Sequence, residues 1–309
     1  MIKTKRIISL LLLLSLAFAL FSCSGEGADG EYITFTDSVG NKVALDERPT
    51  RVAVLFSSFA DMWTLAGGEI AISVGESVER GFVPEGTPLV DSGAGKSIST
   101  ELLLSYEPDF VICSADIDAQ RDLLRVLSST DIPIASFKVE SFSDYLSVLK
   151  IMTDITGDES AYEKYGIAVK EKIDILLSSV PDSPQDVLFI RAGTSAKTTK
   201  AKGTNQHFVA KMLSELGAHN IADNAPILLD GLNIESIISA DPDVIFISTM
   251  GDEALAREYM SSVLSGDAWQ TLSAVKNSRY YYLSKEYSQF KPNDEWYEAY
   301  YTLWEILYA

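Results

Sequence analysis

The chain has 309 residues, 47% of them apolar, which excludes a disordered polypeptide and gives ample length for one large domain or two ordinary ones. Its formal charge is −19, and a surface of that sign repels nucleic acid and anionic lipid headgroups, so neither is an expected partner.

Lys3, Lys5 and Arg6 form a basic start, and residues 7–21 form an apolar stretch of about 15 residues, short of the roughly 17 to 25 that span a bilayer. Leu20-Phe21-Ser22-Cys23 ends it and resembles a bacterial lipobox, in which the cysteine becomes the lipidated N-terminus. Residues 1–22 are therefore read as a signal peptide and Cys23 as the lipidation site; an uncleaved membrane anchor is the alternative. Either way the folded part is expected outside the cytoplasm, held to the bacterial membrane by its N-terminus. Residues 23–31 are small and acidic, as suits a flexible tether. The leader carries three cations and no acid, so its removal takes the net charge from −19 to −22. With Cys23 lipidated, Cys113 is left alone and no disulfide framework is possible.

Residues 32–37 and 42–45 flank Ser38-Val39-Gly40-Asn41 and read as a hairpin. Strands are expected at residues 52–55, 71–74, 109–113 and 133–137, with helices over residues 59–66 and 119–127. Alternation of this kind argues a parallel sheet. Two helical stretches follow, residues 141–155 and 159–180. The second, at about 22 residues or roughly 33 Å, is long enough to cross from one lobe to another. A second α/β series starts at Val187, with helices over 208–216 and 254–264, a strand over 279–283 and a last helix over 293–308. The expected fold class is α/β, two lobes with parallel sheets joined by one long helix, with a ligand cleft between them. The expected segments are an N-terminal lobe over residues 32–157, a linker helix over 158–181 and a C-terminal lobe over 182–309.

One pattern occurs twice, 134 residues apart. Glu101 and Glu235 each stand seven positions before a Pro-Asp (Pro108-Asp109 and Pro242-Asp243) that opens an apolar strand. Ser99 and Asn233 are N-cap residues two positions earlier, which places each carboxylate in the first turn of a short helix, where the macrodipole favours it. Stabilisation of a helix start is the plain reading of both glutamates.

Thr36-Asp37-Ser38-Val39-Gly40, Pro49-Thr50-Arg51-Val52-Ala53-Val54, the two Glu-x6-Pro-Asp segments, Gly217-Ala218-His219-Asn220-Ile221-Ala222 and residues 274–282 resemble, in this order, a substrate-binding protein of ABC importers for iron chelates and cobalamin. The resemblance covers about residues 32 to 309. It implies two α/β lobes on one bridging helix, limited hinge motion, and a ligand in the cleft: an iron-siderophore, haem or a corrinoid. It implies as partners an ABC permease with its ATPase, and matches Glu101 and Glu235 to the family's pair of permease-docking glutamates. No cofactor and no catalysis are implied, and a monomer is expected. An extracytoplasmic hydrolase or chelate-modifying enzyme is the alternative, and the chain has no Gly-x-Ser-x-Gly nucleophile motif.

Ligands in parallel α/β sheets lie at the carboxyl ends of strands. Candidate contacts are therefore Ser58, Phe59, Trp63, Arg80 and Phe82 in the first lobe, and Arg191, Lys202, Met250, Tyr287 and Phe290 in the second, with core packing the alternative for Phe59 and Trp63. Residues 191–203 hold four cations and no acid, which points to an anionic ligand, with a solvated surface loop the alternative. His207 is a candidate haem ligand or a helix cap, and two histidines do not make a bare-metal site. Gly93-Ala94-Gly95-Lys96-Ser97 imitates the end of a phosphate-binding loop, but Val90 stands where the pattern needs glycine.

Overall fold

The computed structural model describes residues 32–91 and 97–309. The leader, Cys23, the tether and residues 93–96 of the phosphate-loop imitation lie outside the described residues. Strands β1 (Ile33–Thr36) and β2 (Lys42–Leu45) form the antiparallel hairpin. The Asp37 carboxylate closes its turn by accepting from the Val39 and Asn41 amides, and also accepts from Ser136 N at 3.0 Å, which docks the hairpin on the edge of the first sheet.

That sheet is parallel, in the order β3 (Val52–Val54), β4 (Phe110–Ser114), β5 (Ile134–Phe137). Between these strands run α1 (Ser57–Leu65), α2 (Gly75–Glu79), α3 (Thr100–Ser105) and α4 (Asp118–Leu127). Residues 71–74, expected as a strand, make only isolated bridges, Ala53 with Ile72 and Ser73 with Leu89. The backbone turns away at once, because Gly75 N donates to Asp91 Oδ1 at 2.8 Å where α2 begins.

Helix α5 (Phe142–Thr156) ends at Gly157, whose φ of 75° is the left-handed conformation that glycine accepts without penalty. The connection to the second sheet is helical from Glu159 to Ser178, but not one uniform α-helix. It consists of α6 (Glu159–Tyr162), a π segment (Glu163–Ile167) and α7 (Ala168–Ser178). The cause lies at the contact with α5: Tyr145 Oη donates to Tyr165 O at 3.0 Å, and a Cβ on Gly166 would meet Leu146 at 3.2 Å. A widened turn accommodates both.

The second sheet contains β6 (Asp186–Ala192), β7 (Lys200–Ala201), β8 (His219–Asn220), β9 (Val244–Thr249) and β10 (Tyr280–Tyr282), in the order β10-β9-β6-β7 with β8 also on β6. It is parallel except for β7, which pairs antiparallel to β6. The helices that matter here are α8 (Phe208–Glu215), α9 (Ile234–Ala240), α10 (Glu253–Leu264), α11 (Lys285–Ser288) and α12 (Trp296–Tyr308).

The repeated segment performs the same local task in each half. Glu107 and Asp241, each immediately before its proline, take left-handed φ values of 49° and 41°, so neither helix continues into the proline. The next aspartate then ties down the first strand of its own sheet. Asp109 accepts from the Thr50 amide at 2.7 Å and the Arg51 amide at 2.9 Å, and Asp243 accepts from the Asp186 amide at 2.9 Å.

Strand alternation divides the core. Val52, Val54, Phe110 and Ile112 of the first sheet and Val187, Phe189, Val244 and Phe246 of the second face one continuous cluster. The opposite faces bury two separate clusters, one containing Leu55, Val111 and Cys113 and the other Leu188, Ile190 and Ile245. Trp296, 0% exposed, sits in the shared cluster, with ring centroids 6.1 Å from Phe142 of the first half and 5.8 Å from Phe208 of the second. The two sheets therefore share apolar packing as well as a linker.

Candidate functional site

A cleft of about 870 Å³ opens between the carboxyl ends of the two sheets. Its first wall is Leu55–Ser58 after β3, Asp116 and Ile117 after β4, and Glu140 after β5. Its second wall is Arg191, Gly193, Thr194 and Thr198 after β6, Gln206–Phe208 at the start of α8, Met250–Asp252 after β9, and Gln289–Lys291. Chain ends of parallel strands leave such a crevice because the connections diverge to opposite faces. The turn after β6 is tight: Thr199 Oγ1 accepts from Gly193 N at 3.1 Å, and a Cβ on Gly193 would lie 2.3 Å from Thr198 Oγ1.

The charges of the cleft are unequally provided for. Its acids have partners. Glu76 accepts from Ser57 Oγ at 2.5 Å, Asp116 and Glu140 flank Lys138 at 3.9 and 2.7 Å, and Asp252 caps α10 by accepting from Leu255 N at 3.0 Å. Among the described residues, neither Arg191 nor Lys291 in the wall, nor Lys202 beside it, makes a side-chain hydrogen bond or an ion pair within 4.0 Å; Lys291 lies 4.9 Å above the Phe208 ring.

Burial holds the pKa of each of these three groups below its ordinary value. For Lys291 that effect is opposed by Asp116 and Glu140. Lys202 is lowered further by Arg191 and Lys200. All three cations surround His207, whose pKa lies well below 6.5, first through burial and then through Lys291, Arg191 and Lys202. The imidazole is therefore neutral. Its Nδ1 accepts from Val209 N at 3.2 Å as the N-cap of α8, and its ring packs at 4.9 Å from Phe189 and 4.7 Å from Phe208.

Of the contacts expected from sequence, Ser58, Arg191, Met250 and Phe290 are brought together in the cleft wall. Arg80 and Phe82 lie at its rim, with the Arg80 guanidinium between the Phe82 and Phe290 rings at 4.6 and 3.9 Å. Phe59 and Trp63 lie instead in the core, 1% and 2% exposed. They belong with Met62 and Ala66 to the buried i, i+3, i+4, i+7 stripe of α1, and Trp63 Nε1 donates to Glu69 O, away from the cleft. Tyr287 packs half-buried against the shared core rather than lining the cleft, and Lys202 is held half-buried beside it. Glu101 and Glu235 sit in the first turns of α3 and α9, exposed and without an ion pair among the described residues, below the Ser99 and Asn233 caps.

Sequence reasoning missed Lys291, Gln206, Phe208, Asp116, Glu140 and Gln289. The aromatic-cationic pair Phe290-Lys291 before Pro292 was the available signal for the first of them. Among the described residues no group of three or more His, Cys, Asp or Glu side chains could hold a metal ion.

Two α/β halves around an open cleft, with Arg191 and Lys291 in its wall, have the architecture of a two-lobed ligand-binding protein. The chain belongs to the periplasmic binding protein family, whose model matches residues 52–287. It is 25% identical over 300 residues to a Bacillus subtilis (strain 168) protein provisionally named the ABC transporter substrate-binding lipoprotein YhfQ, covering 92% of this chain and 91% of that one. Its fold is similar to that of a Staphylococcus epidermidis ATCC 12228 periplasmic solute-binding protein described as a candidate for iron binding. The TM-score there is 0.68 at 20% identity, over 85% of this chain and all of the other. It is similar too to Staphylococcus aureus SirA complexed with staphyloferrin B, with a TM-score of 0.67 at 19% identity, over 89% of this chain and 97% of the other.

Proposed function

We propose that the protein is the lipid-anchored, extracytoplasmic substrate-binding component of an ABC importer, and that its cargo is an anionic ferric chelate. The observation that carries this reading is the trio Arg191, Lys202 and Lys291 near a neutral His207, cations that make no side-chain hydrogen bond or ion pair among the described residues, in a cleft whose acids are engaged. Unpaired charge at a half-buried site is costly, and a ligand carboxylate, catecholate or phosphate would supply the missing partner. The cleft volume suits a compact chelate.

A siderophore-type chelate is favoured over haem. Because Nδ1 of His207 accepts the cap hydrogen bond, the neutral ring carries its proton on Nε2 and offers no lone pair there to an iron. The names of the relatives, a substrate-binding lipoprotein and a protein complexed with staphyloferrin B, agree with this assignment. In the same reading Cys23 carries the lipid and the lobes divide at residues 158–181. Glu101 and Glu235, one on each lobe, meet basic groups of the permease.

The test is a titration of intrinsic fluorescence with hexadentate ferric chelates of matched size and graded net charge. Affinity is expected to rise with negative charge. Tightest binding of a cationic chelate would overturn the assignment.

A further inference from the structure

Three of the side chains that face the cleft from the second wall, Gln289, Phe290 and Lys291, are carried on a short segment outside the sheet. Its own half holds it through Ser248 Oγ, which donates to Ser288 O at 3.0 Å, through Lys285 Nζ, which donates to Gly251 O at 3.1 Å, and through the Lys291 ammonium, 4.9 Å above the Phe208 ring. Further fasteners come from the opposite half. Arg80, at the end of α2, reaches across the cleft mouth. Its guanidinium stacks 3.9 Å from the Phe290 ring, stands 3.6 Å from Glu286, and donates to Ser57 Oγ and Ser58 Oγ at 3.2 and 3.3 Å.

Asn293 closes the other end. It is 0% exposed, adopts a left-handed φ of 54°, and its Nδ2 donates to Ser58 O at 2.9 Å and Asp61 Oδ2 at 2.7 Å. Asparagine tolerates that backbone conformation better than most residues with a side chain, so it can serve at once as a turn and as a peg. Both fasteners grip residues 57–61, the start of α1, which also line or underlie the first wall. The segment 286–293 is thus stitched to the far side of the cleft at both ends, with its ligand-facing residues between the stitches.

We propose that Arg80 and Asn293 are positioning residues for ligand capture: they set Phe290 and Lys291 in the cleft by pinning residues 286–293 to the opposite lobe. This rests on the reading of the cleft as the ligand site. Arg191 stands on β6 and is independent of these fasteners. That contrast supplies the control, since residues acting through a shared element couple while distant independent ones add.

The experiment uses the mature chain and a hexadentate ferric tris-catecholate of net charge −3 as probe. Arg80→Gln and Asn293→Gly, the latter keeping the left-handed turn, are each expected to speed probe dissociation about tenfold. Combined with Lys291→Met, either variant should lose less than the product of the single effects. Combined with Arg191→Met, the losses should multiply. Multiplicative losses with both partners would overturn the positioning role.

If the wild type binds no chelate, the cargo assignment fails and the positioning is read without ligand, by amide hydrogen exchange. The Gln289 and Phe290 amides, both bonded to Lys285 O at 2.9 Å, should then lose at least tenfold protection in both variants, while the β9 amides keep theirs. Unchanged protection at Gln289 and Phe290 would overturn the proposal by itself.

Discussion

Replacing Lys291 by methionine separates binding from stability. The ammonium is half-buried in the cleft wall, 4.9 Å from the Phe208 ring, and burial opposes its charge. A charge-assisted hydrogen bond to a ligand anion is worth roughly 1.5–3 kcal/mol, which is about 10- to 150-fold in affinity. An open cleft, accessible to solvent, places the expected loss near the lower end, about tenfold. In the unliganded protein the balance is different. The cation–aromatic contact contributes about 0.5–1 kcal/mol, and a methionine sulfur on the same ring restores about 0.3–1.5 kcal/mol, while the half-buried charge is gone. The melting temperature should therefore hold within about 2 °C or rise. Calorimetric titration with an anionic ferric chelate, beside thermal unfolding of the same samples, reads both quantities. Unchanged affinity, or a loss of affinity that comes with a marked fall in melting temperature, would refute the assignment of Lys291 as an anion contact.

The double variant Glu101→Ala, Glu235→Ala should abolish chelate uptake in cells and leave chelate affinity of the purified protein unchanged; normal uptake would remove the docking role. Trp296→Ala should cost about 3–5 kcal/mol, and because the rest of the shared cluster still joins both halves, the variant should still unfold in one transition. Two separated transitions would show that the halves are energetically independent. His207 binds its proton less readily folded than unfolded, so acidification below about pH 6.5 favours the unfolded state and erodes stability until its folded-state pKa is passed. In denaturant melts, His207→Gln should reduce the stability lost between about pH 6.5 and pH 5; an unaltered pH profile would contradict a buried neutral imidazole.

Much of the frame was legible in the sequence because it rests on local signals. The hairpin turn, the apolar strands at residues 52, 110, 134, 187 and 244, and the helix caps at Ser99 and Asn233 each follow from a few neighbouring residues. The repeat was read from its glutamates, whereas its structural work is done by Asp109 and Asp243, which fasten strands 57 or more residues earlier. Such partners are invisible without the fold. The same limit governs the cleft. Phe59 and Trp63 follow a strand, as binding residues do, but the i, i+3, i+4, i+7 stripe of α1 turns them into the core. Asn293 lies far along the chain from Ser58 and Asp61, and no periodicity announces that they meet. The π segment at Glu163–Ile167 depends on the fit of Gly166 against α5, a packing relation between two helices rather than a property of either.

Thermal unfolding with an anionic ferric chelate at a hundred times its dissociation constant tests the receptor assignment most directly. The account predicts about 2.7 kcal/mol of added stability, or roughly 5 to 10 °C in melting temperature, from a chelate of net negative charge. A series of anionic ferric chelates that leaves the melting temperature where it was, while haem, a corrinoid or a cationic chelate raises it, would contradict the account.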